Sequence, residues 1–344
     1  MENLTDRQKM ILTLVVHEYT RSAVPVGSQS LVEHYHIDLS SATVRNELSA
    51  LTEMGYLRQP HTSAGRSPTE DGYRYFVTQL LQQTDLPADT RRTISHQFYQ
   101  MRYDSDQWMQ LAASVLAHQS KAVSLVTAPH PENAALKHLE LISTRGRQVL
   151  MVMVMVGGEI NQRILTLDEL VSQEQLSNAA AVITQAAQGL NPASLNTIRP
   201  GLDLLGQSIL DRMIPEMNQK GISASAEVFM DGMTSDLAEP EFSGYEDARR
   251  AFRLLEEHSL LDDLLSRSVV GSAVGGVHVI IGGEGAWEEL RQCSVVLARY
   301  GSPGQATGTL GVLGPMRMSY ARSISAVRFL SGLLSELVST SVTD

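Results

Sequence analysis

The sequence predicts a multidomain α+β chain that opens with a small head of three helices and a β-hairpin. Apolar residues recur at helical spacing in two segments before residue 55, with a short capped segment between them, and short strand-like runs flank a Pro- and Gly-bearing loop between 56 and 68. From residue 123 onward strand-like and helical runs intermix, with no regular repeat and no low-complexity tract, which predicts a mixed remainder.

The head reads element by element. Thr5 and Gln8 have capping-box spacing and open a helix with Met10, Ile11, Leu14 and Val15 inward. Pro25 and Gly27 break the chain, and Ser28 is placed to cap a short helix through Tyr35. Residues His36 to Leu39 make a turn. Ser40 then stands at an N-cap, Val44, Leu48 and Leu51 form an inward stripe with Met54 at its edge, and Gly55 stands where a left-handed ending belongs. Tyr56 to Gln59 reads as a strand, Pro60 to Gly65 as a tight loop, and Arg66 to Pro68 as the returning strand. Thr69 caps a further helix carrying Phe76, Val77, Leu80 and Leu81.

Helix, short helix, turn, helix is the order of a helix-turn-helix, and the hairpin after it reads as a wing. On the third helix a rotation of about 100° per residue sets Ala42, Arg45, Asn46 and Ser49 opposite the apolar stripe. Arg can grip guanine O6 and N7 bidentately, Asn can do the same for adenine N6 and N7, and a small Ala admits a thymine methyl. Ser41 and Thr43, in the first turn, join this set. In the wing, Arg58, His61, Thr62, Ser63, the backbone at Gly65 and Arg66 can reach phosphates or a groove edge. An isolated amphipathic helix with such a face would be an ordinary solvated helix; the elements around this one point to double-stranded DNA.

Composition bounds the reading from another side. At 344 residues, 43% of them apolar, the chain is long enough for two or three domains with real cores. The formal net charge is −11, and residues 1–80 carry 7 Lys and Arg against 9 Asp and Glu. A DNA-binding domain usually has a basic footprint, so either the positive groups are focused at Arg45, Arg58, Arg66 and Arg74, or affinity comes from pairing two heads. The single cysteine, Cys293, excludes an intramolecular disulfide and any multi-cysteine metal site, and its apolar run CSVVLARY predicts a buried strand thiol. His34 and His36 lack further ligands at metal spacing and read as solvated, so no metal or cofactor is expected. The glycines of IIGGEG follow a strand but not with dinucleotide spacing, and no nucleophile, zinc-protease or phosphate-loop motif singles out a catalytic residue. No enzyme is expected. The N-terminus lacks an apolar signal core, and the longest apolar run, 149–156, is far short of the roughly 20 residues that a membrane helix needs. A cytoplasmic protein without a membrane segment is expected.

Beyond residue 82, QQTDLPADTRRT reads as a polar link. A helix with Trp108, Leu111, Val115 and Leu116 on one side precedes a strand in AVSLVTAP. Further strands are expected at 136–142, 148–156 and 160–167, with Gly157 and Gly158 as a hairpin turn. Helices near 174–188 and 201–220, a strand at 224–230 and a helix around 245–259 follow. Strands at 277–282, 295–300 and 307–313 then lead to a closing helix bearing Tyr320, Ile324, Val327, Leu330, Leu334 and Leu337. The Met-rich strand 148–156 is apolar on both faces and needs cover from helices of its own chain or from a second subunit.

The runs VGSQSL (26–31), SSATVRNEL, GYLRQPHTSAGRSPTEDGYRYFV and LGVLGPMRMSY (310–320) resemble the heat-inducible transcription repressor family HrcA; the likeness is dense over residues 1–78 and returns near the C-terminus, while 228–242 echoes it loosely. The resemblance implies a winged-helix domain at 1–82, a linker at 83–105, a GAF-like α+β domain at 106–145 and 255–344, and a dimerising insertion at 146–254. It also implies a homodimer that represses chaperone operons at a CIRCE inverted repeat, and GroEL chaperonin as the partner that keeps it active. The alternative is a regulator whose GAF-like domain senses a small molecule, which titration calorimetry with metabolites would separate.

Overall fold

The structure, a computed structural model, describes residues 4–61, 64–82, 84–101, 105–131, 135–156, 160–220, 227–233, 273–282 and 287–343, together with Leu255, Glu257, Leu261, Leu264 and Leu265. The chain forms two compact units. One comprises Met1–Ala128, Glu227–Tyr300 and Gly308–Asp344, the other Pro129–Ala226 and Gly301–Thr307.

In the first unit, helix α1 (Asp6–Ser22) begins at the expected capping box: Thr5 Oγ1 accepts from the Gln8 N–H, and Gln8 Oε1 accepts from the Thr5 N–H at 3.0 Å. Helix α2 (Ser28–Tyr35) is entered through Gly27, not capped by Ser28. Ser28 is already helical, and its hydroxyl lies 3.1 Å from that of Ser41. Helix α3 (Ser41–Glu53) is capped by Ser40 Oγ, which accepts from the Thr43 N–H at 3.1 Å, and buries Val44, Leu48 and Leu51 as expected. Gly55 follows at φ 83°, a left-handed conformation open to glycine at no steric cost. The hairpin strands are shorter than expected, β1 (Leu57–Arg58) and β2 (Ser67–Pro68), because Arg66 spends its backbone on Val26 instead: each N–H donates to the other's carbonyl at 2.8 Å. Helix α4 (Glu70–Tyr75) starts at Thr69, whose hydroxyl accepts from the Gly72 N–H, and runs on as a π-helical turn over Phe76–Leu80. In α1 the inward face is Ile11, Leu12, Val15 and Val16; Met10 is 39% exposed and Leu14 half-buried, because α3 and β2 pack one position further round the helix than its spacing suggests.

Helix α5 (Ala88–Gln100) occupies most of the stretch expected to be a linker, anchored by Ile94 and Phe98 one helical turn apart. Helix α6 (Ser105–Ser120) buries Trp108, Met109, Ala112, Ala113 and Leu116, leaving Leu111 and Val115 at its margin. It packs on a sheet that also contains β3 (Val123–Thr127), β8 (Val228–Asp231), β9 (Val277–Ile281), β10 (Cys293–Ser302) and β11 (Ala306–Pro315), ordered β8-β3-β11-β10-β9. The closing helix α10 (Tyr320–Thr343) packs beside α6 with the expected apolar face buried. The opposite sheet face is covered by Leu255, Leu261, Leu264, Trp287 and Leu290. With both faces covered, β10 is apolar throughout rather than alternating, and Cys293 is buried in it.

The second unit holds an antiparallel sheet of β5 (Leu136–Ser143), β6 (Gln148–Met155) and β7 (Ile160–Thr166), and a short β4 (His130–Pro131) paired with Ala306–Thr307. Helices α7 (Gln173–Ala187) and α9 (Leu204–Lys220), joined through the short α8 (Pro192–Leu195), cover one sheet face around Val149, Met151, Met153 and Met155.

These pairings move the expected boundaries. β5 pairs with β6, so the inserted unit begins at 129 rather than 146; β8 pairs with β3, so the chain is back in the first unit by 227 rather than 255. The head is not a unit apart from the larger sheet. Thr62 and Ser63, the turn at Gly157 and Gly158, most of the helix expected at 245–259 and the glycines after Gly282 lie outside the described residues.

Candidate nucleic-acid interface

The outward face of α3 is built by its inward one. With Val44, Leu48 and Leu51 fixed in the core, Ala42, Arg45 and Asn46 are exposed and Ser49 is half-buried beside them. Two neighbouring hydroxyls expected to face outward are already engaged. Ser41 Oγ is paired with Ser28, and Thr43 Oγ1 with Ser40 Oγ at 2.9 Å, so both hold the start of the helix in place. Such local bonding is what makes these residues good at helix starts.

Hairpin residues divide in the same way. Arg58 Nε donates to Ser67 Oγ at 3.3 Å across the strand pair. Arg66 Nε donates to Thr52 Oγ1 at 3.0 Å, which ties the hairpin to α3. His61 is exposed, and its carbonyl accepts from the Ala64 N–H at 2.8 Å, closing the loop. Gly65 presses on the chain at Pro25 and Val26; a Cβ there would collide with the Val26 carbonyl, so only glycine permits the paired bonds between Val26 and Arg66. Close backbone packing is thus a role of Gly65 beyond the groove contact expected of its backbone.

Between the start of α2, the side of α3 and the hairpin lies a hollow of about 400 Å³ lined by Gln29, Arg45, Gln59, Gly65 and Arg66, with Val26 to Ser28 at its floor and no acidic residue in its lining. Gln29 and Gln59 were not singled out from sequence. Their signal was weak: both are common polar residues, and only the fold brings 29 beside 59. The first N–H groups of α2 have no side-chain cap, because Gly27 supplies none.

Charge in the head is segregated. Glu47 pairs with Arg7 at 3.3 Å and Asp71 with Arg74 at 2.6 Å, while Glu18 is buried and accepts from Arg21 at 3.0 Å and Tyr35 Oη at 3.1 Å. Burial pushes the Glu18 carboxyl up, but the hydrogen bonds from Arg21 and Tyr35 and the charges of Arg21 and His34 outweigh it and hold the group below the ordinary carboxylate range. His34 Nδ1 lies 3.6 Å from that carboxylate. Exposed ion pairs contribute little stability. The hollow itself is lined by Arg45 and Arg66 with no carboxylate in its lining, and the acid nearest on α2 is Glu33, whose Oε1 accepts from Gln29 Nε2 at 2.8 Å.

Residues 106–324 match the family model described as the HrcA protein C terminal domain. The chain is 45% identical over 344 residues to the heat-inducible transcription repressor HrcA of Roseiflexus castenholzii, covering 98% of this chain and 95% of that one. It is 40% identical over 354 residues to that of Chloroflexus aurantiacus, covering 97% and 94%. Among solved structures it is similar to the crystal structure of a hypothetical protein, with a TM-score of 0.61 and 22% identity, covering 98% of this chain and all of the other, a likeness of fold. No helix among the described residues is long and apolar enough to cross a membrane.

Proposed function

The chain belongs to the HrcA family of heat-inducible transcription repressors, and from that premise we propose that its head is a winged helix-turn-helix which a homodimer presents, as a pair, to an inverted-repeat operator of the CIRCE type before chaperone operons in the cytoplasm. The observation that carries this reading is the acid-free hollow beside the exposed Arg45 and Asn46. In this reading α3 enters the major groove, Arg45 and Asn46 read base edges, and Gln29, Gln59 and the hairpin follow the phosphates.

Support for a dimer lies in the second unit. The face of its sheet turned away from α7 and α9 carries Ile142, Leu150 and Ile164 in one cross-strand row and Val154 beside Ile160 in another, with Val152 between. Ile142, Ile160 and Ile164 are 41%, 59% and 63% exposed. Polar side chains interrupt these rows, with Glu140 and Gln162 on either side of Val152 and His138 beside Val154; exposed apolar rows of this kind suit an interaction surface, which a second copy of the same face would cover by a two-fold axis. The two covers considered for strand 148–156 then both apply: α7 and α9 for the methionines, a partner for Leu150, Val152 and Val154.

We take the larger sheet as the GAF-like domain. A small-molecule sensor is the less favoured reading, because Tyr300 fills the space between this sheet and α6, its hydroxyl donating to the Thr127 carbonyl at 2.5 Å and lying 3.0 Å from Met109 Sδ. Regulation by chaperonin has a physical basis in the topology. β3 pairs with β8 across about a hundred residues of intervening chain, and non-local pairing of this kind folds slowly with apolar strands exposed meanwhile.

Purified protein alone, with GroEL chaperonin, and with chaperonin plus an excess of unfolded competitor is the test. Operator binding is expected to rise on adding chaperonin and to fall back with competitor. A preparation fully active alone and indifferent to chaperonin across the physiological temperature range would remove that part of the proposal.

A further inference from the structure

The run LGVLGPMRMSY takes no part in the DNA-facing surface, yet it makes the contacts that seat the head on the larger sheet. Arg317 Nη1 donates at 3.2 Å to the carbonyl of Thr20, in the last turn of α1, where carbonyls lack intrahelical partners and a cation is favoured. Tyr320 is buried and held from two sides: Ser294 Oγ of β10 lies 2.7 Å from its hydroxyl, and that hydroxyl donates at 2.7 Å to the Met316 carbonyl. Its ring lies 5.8 Å from that of Tyr73 on α4.

Two further contacts act at the same joint. Ser325 Oγ donates to the carbonyl of Thr84, just after the π-helical turn. Gly282, at the end of β9 with φ 66°, faces the Glu70 carboxyl so closely that a Cβ would collide with it. On the head side the grip is passed on rigidly. Gly72 packs so tightly against the Tyr56 carbonyl that a side chain there would clash, which locks α4 to the hairpin, and the hairpin is tied to α3 through Arg66 and Thr52.

We infer that Arg317 is a positioning residue which, with Tyr320 and Ser325, fixes the angle of α3 relative to the sheet and so sets the half-site spacing that the repressor accepts. The inference rests on the dimeric operator reading above. Two recognition helices carried on one dimer meet successive major grooves only if their separation matches about 34–36 Å or a multiple. A head free to swing would tolerate other spacings, at the cost of ordering on binding.

Full-length protein with Arg317→Met and with Ser325→Ala is titrated by fluorescence anisotropy against operator duplexes of native spacing and with 2 or 5 inserted base pairs, and against a single half-site, with melting curves for each variant. Wild type is expected to lose on the order of 100-fold on the 5-base-pair insertion. Arg317→Met is expected to keep the half-site affinity, lose several-fold at native spacing, and at least halve the logarithm of the discrimination between spacings; Ser325→Ala is expected to move it the same way. Unaltered discrimination in a folded Arg317→Met protein overturns the inference, as does unaltered discrimination in Ser325→Ala if Arg317→Met fails to fold. A wild type indifferent to spacing overturns the dimeric operator reading itself, and the inference with it.

Discussion

Ile164→Asp is expected to convert the repressor to monomers and to weaken binding to a paired operator on the order of 10²–10⁴-fold, while leaving affinity for a half-site as it was. Ile164 is 63% exposed in the single chain, so a carboxylate there costs an isolated protomer little. Between two copies of the sheet face it would be buried in the row with Leu150 and Ile142 and left without a partner, which is costly. Sedimentation velocity gives the assembly state and anisotropy the affinity. A variant that stays dimeric and binds as wild type does would assign the dimer contact to another surface.

Arg45→Ala is expected to cost about 1–3 kcal/mol per half-site and to relax preference at one base pair. Arg45 is exposed on α3 and lines the hollow, and its loss leaves the stripe of Val44, Leu48 and Leu51 untouched. Selection from a randomised half-site reads the outcome: a profile identical to wild type would remove Arg45 from base recognition. Arg66 is a poorer probe of phosphate contact than its sequence position suggests. Its backbone bridges Val26 and its Nε holds Thr52, so truncation loosens the hairpin as well as removing a charge.

Much of the head was legible because its signals are local. Caps at Thr5, Ser40 and Thr69 act within three residues, and the stripe of α3 follows from helical period alone. What was missed depends on residues far apart. Ser41 reads as a free hydroxyl until α2 brings Ser28 against it, and nothing local in the sequence shows that Arg66 also holds Thr52 through Nε and Val26 through its backbone. Helix α5 read as a linker because ADTRRTISHQFYQ buries only Ile94 and Phe98. The C-terminal boundary of the inserted unit was displaced because β3 and β8 pair across about a hundred residues and leave no periodic trace in sequence, and the N-terminal one because periodicity marks β5 as a strand without saying which sheet it joins. The seating of the head by Arg317 and Tyr320 was invisible for the same reason: LGVLGPMRMSY marks itself only by resemblance until Thr20 and Tyr73 are placed beside it.

The central claim, a repressor that reads an inverted repeat with paired heads and lets go on heating, is tested most directly by recovering and sequencing the genomic DNA that the full-length protein binds at low and at high temperature. The account predicts fragments sharing one inverted repeat upstream of chaperone genes, its half-sites on one face of the duplex, and their loss at high temperature. Fragments with no common repeat, or a bound set unchanged by heat, would contradict it.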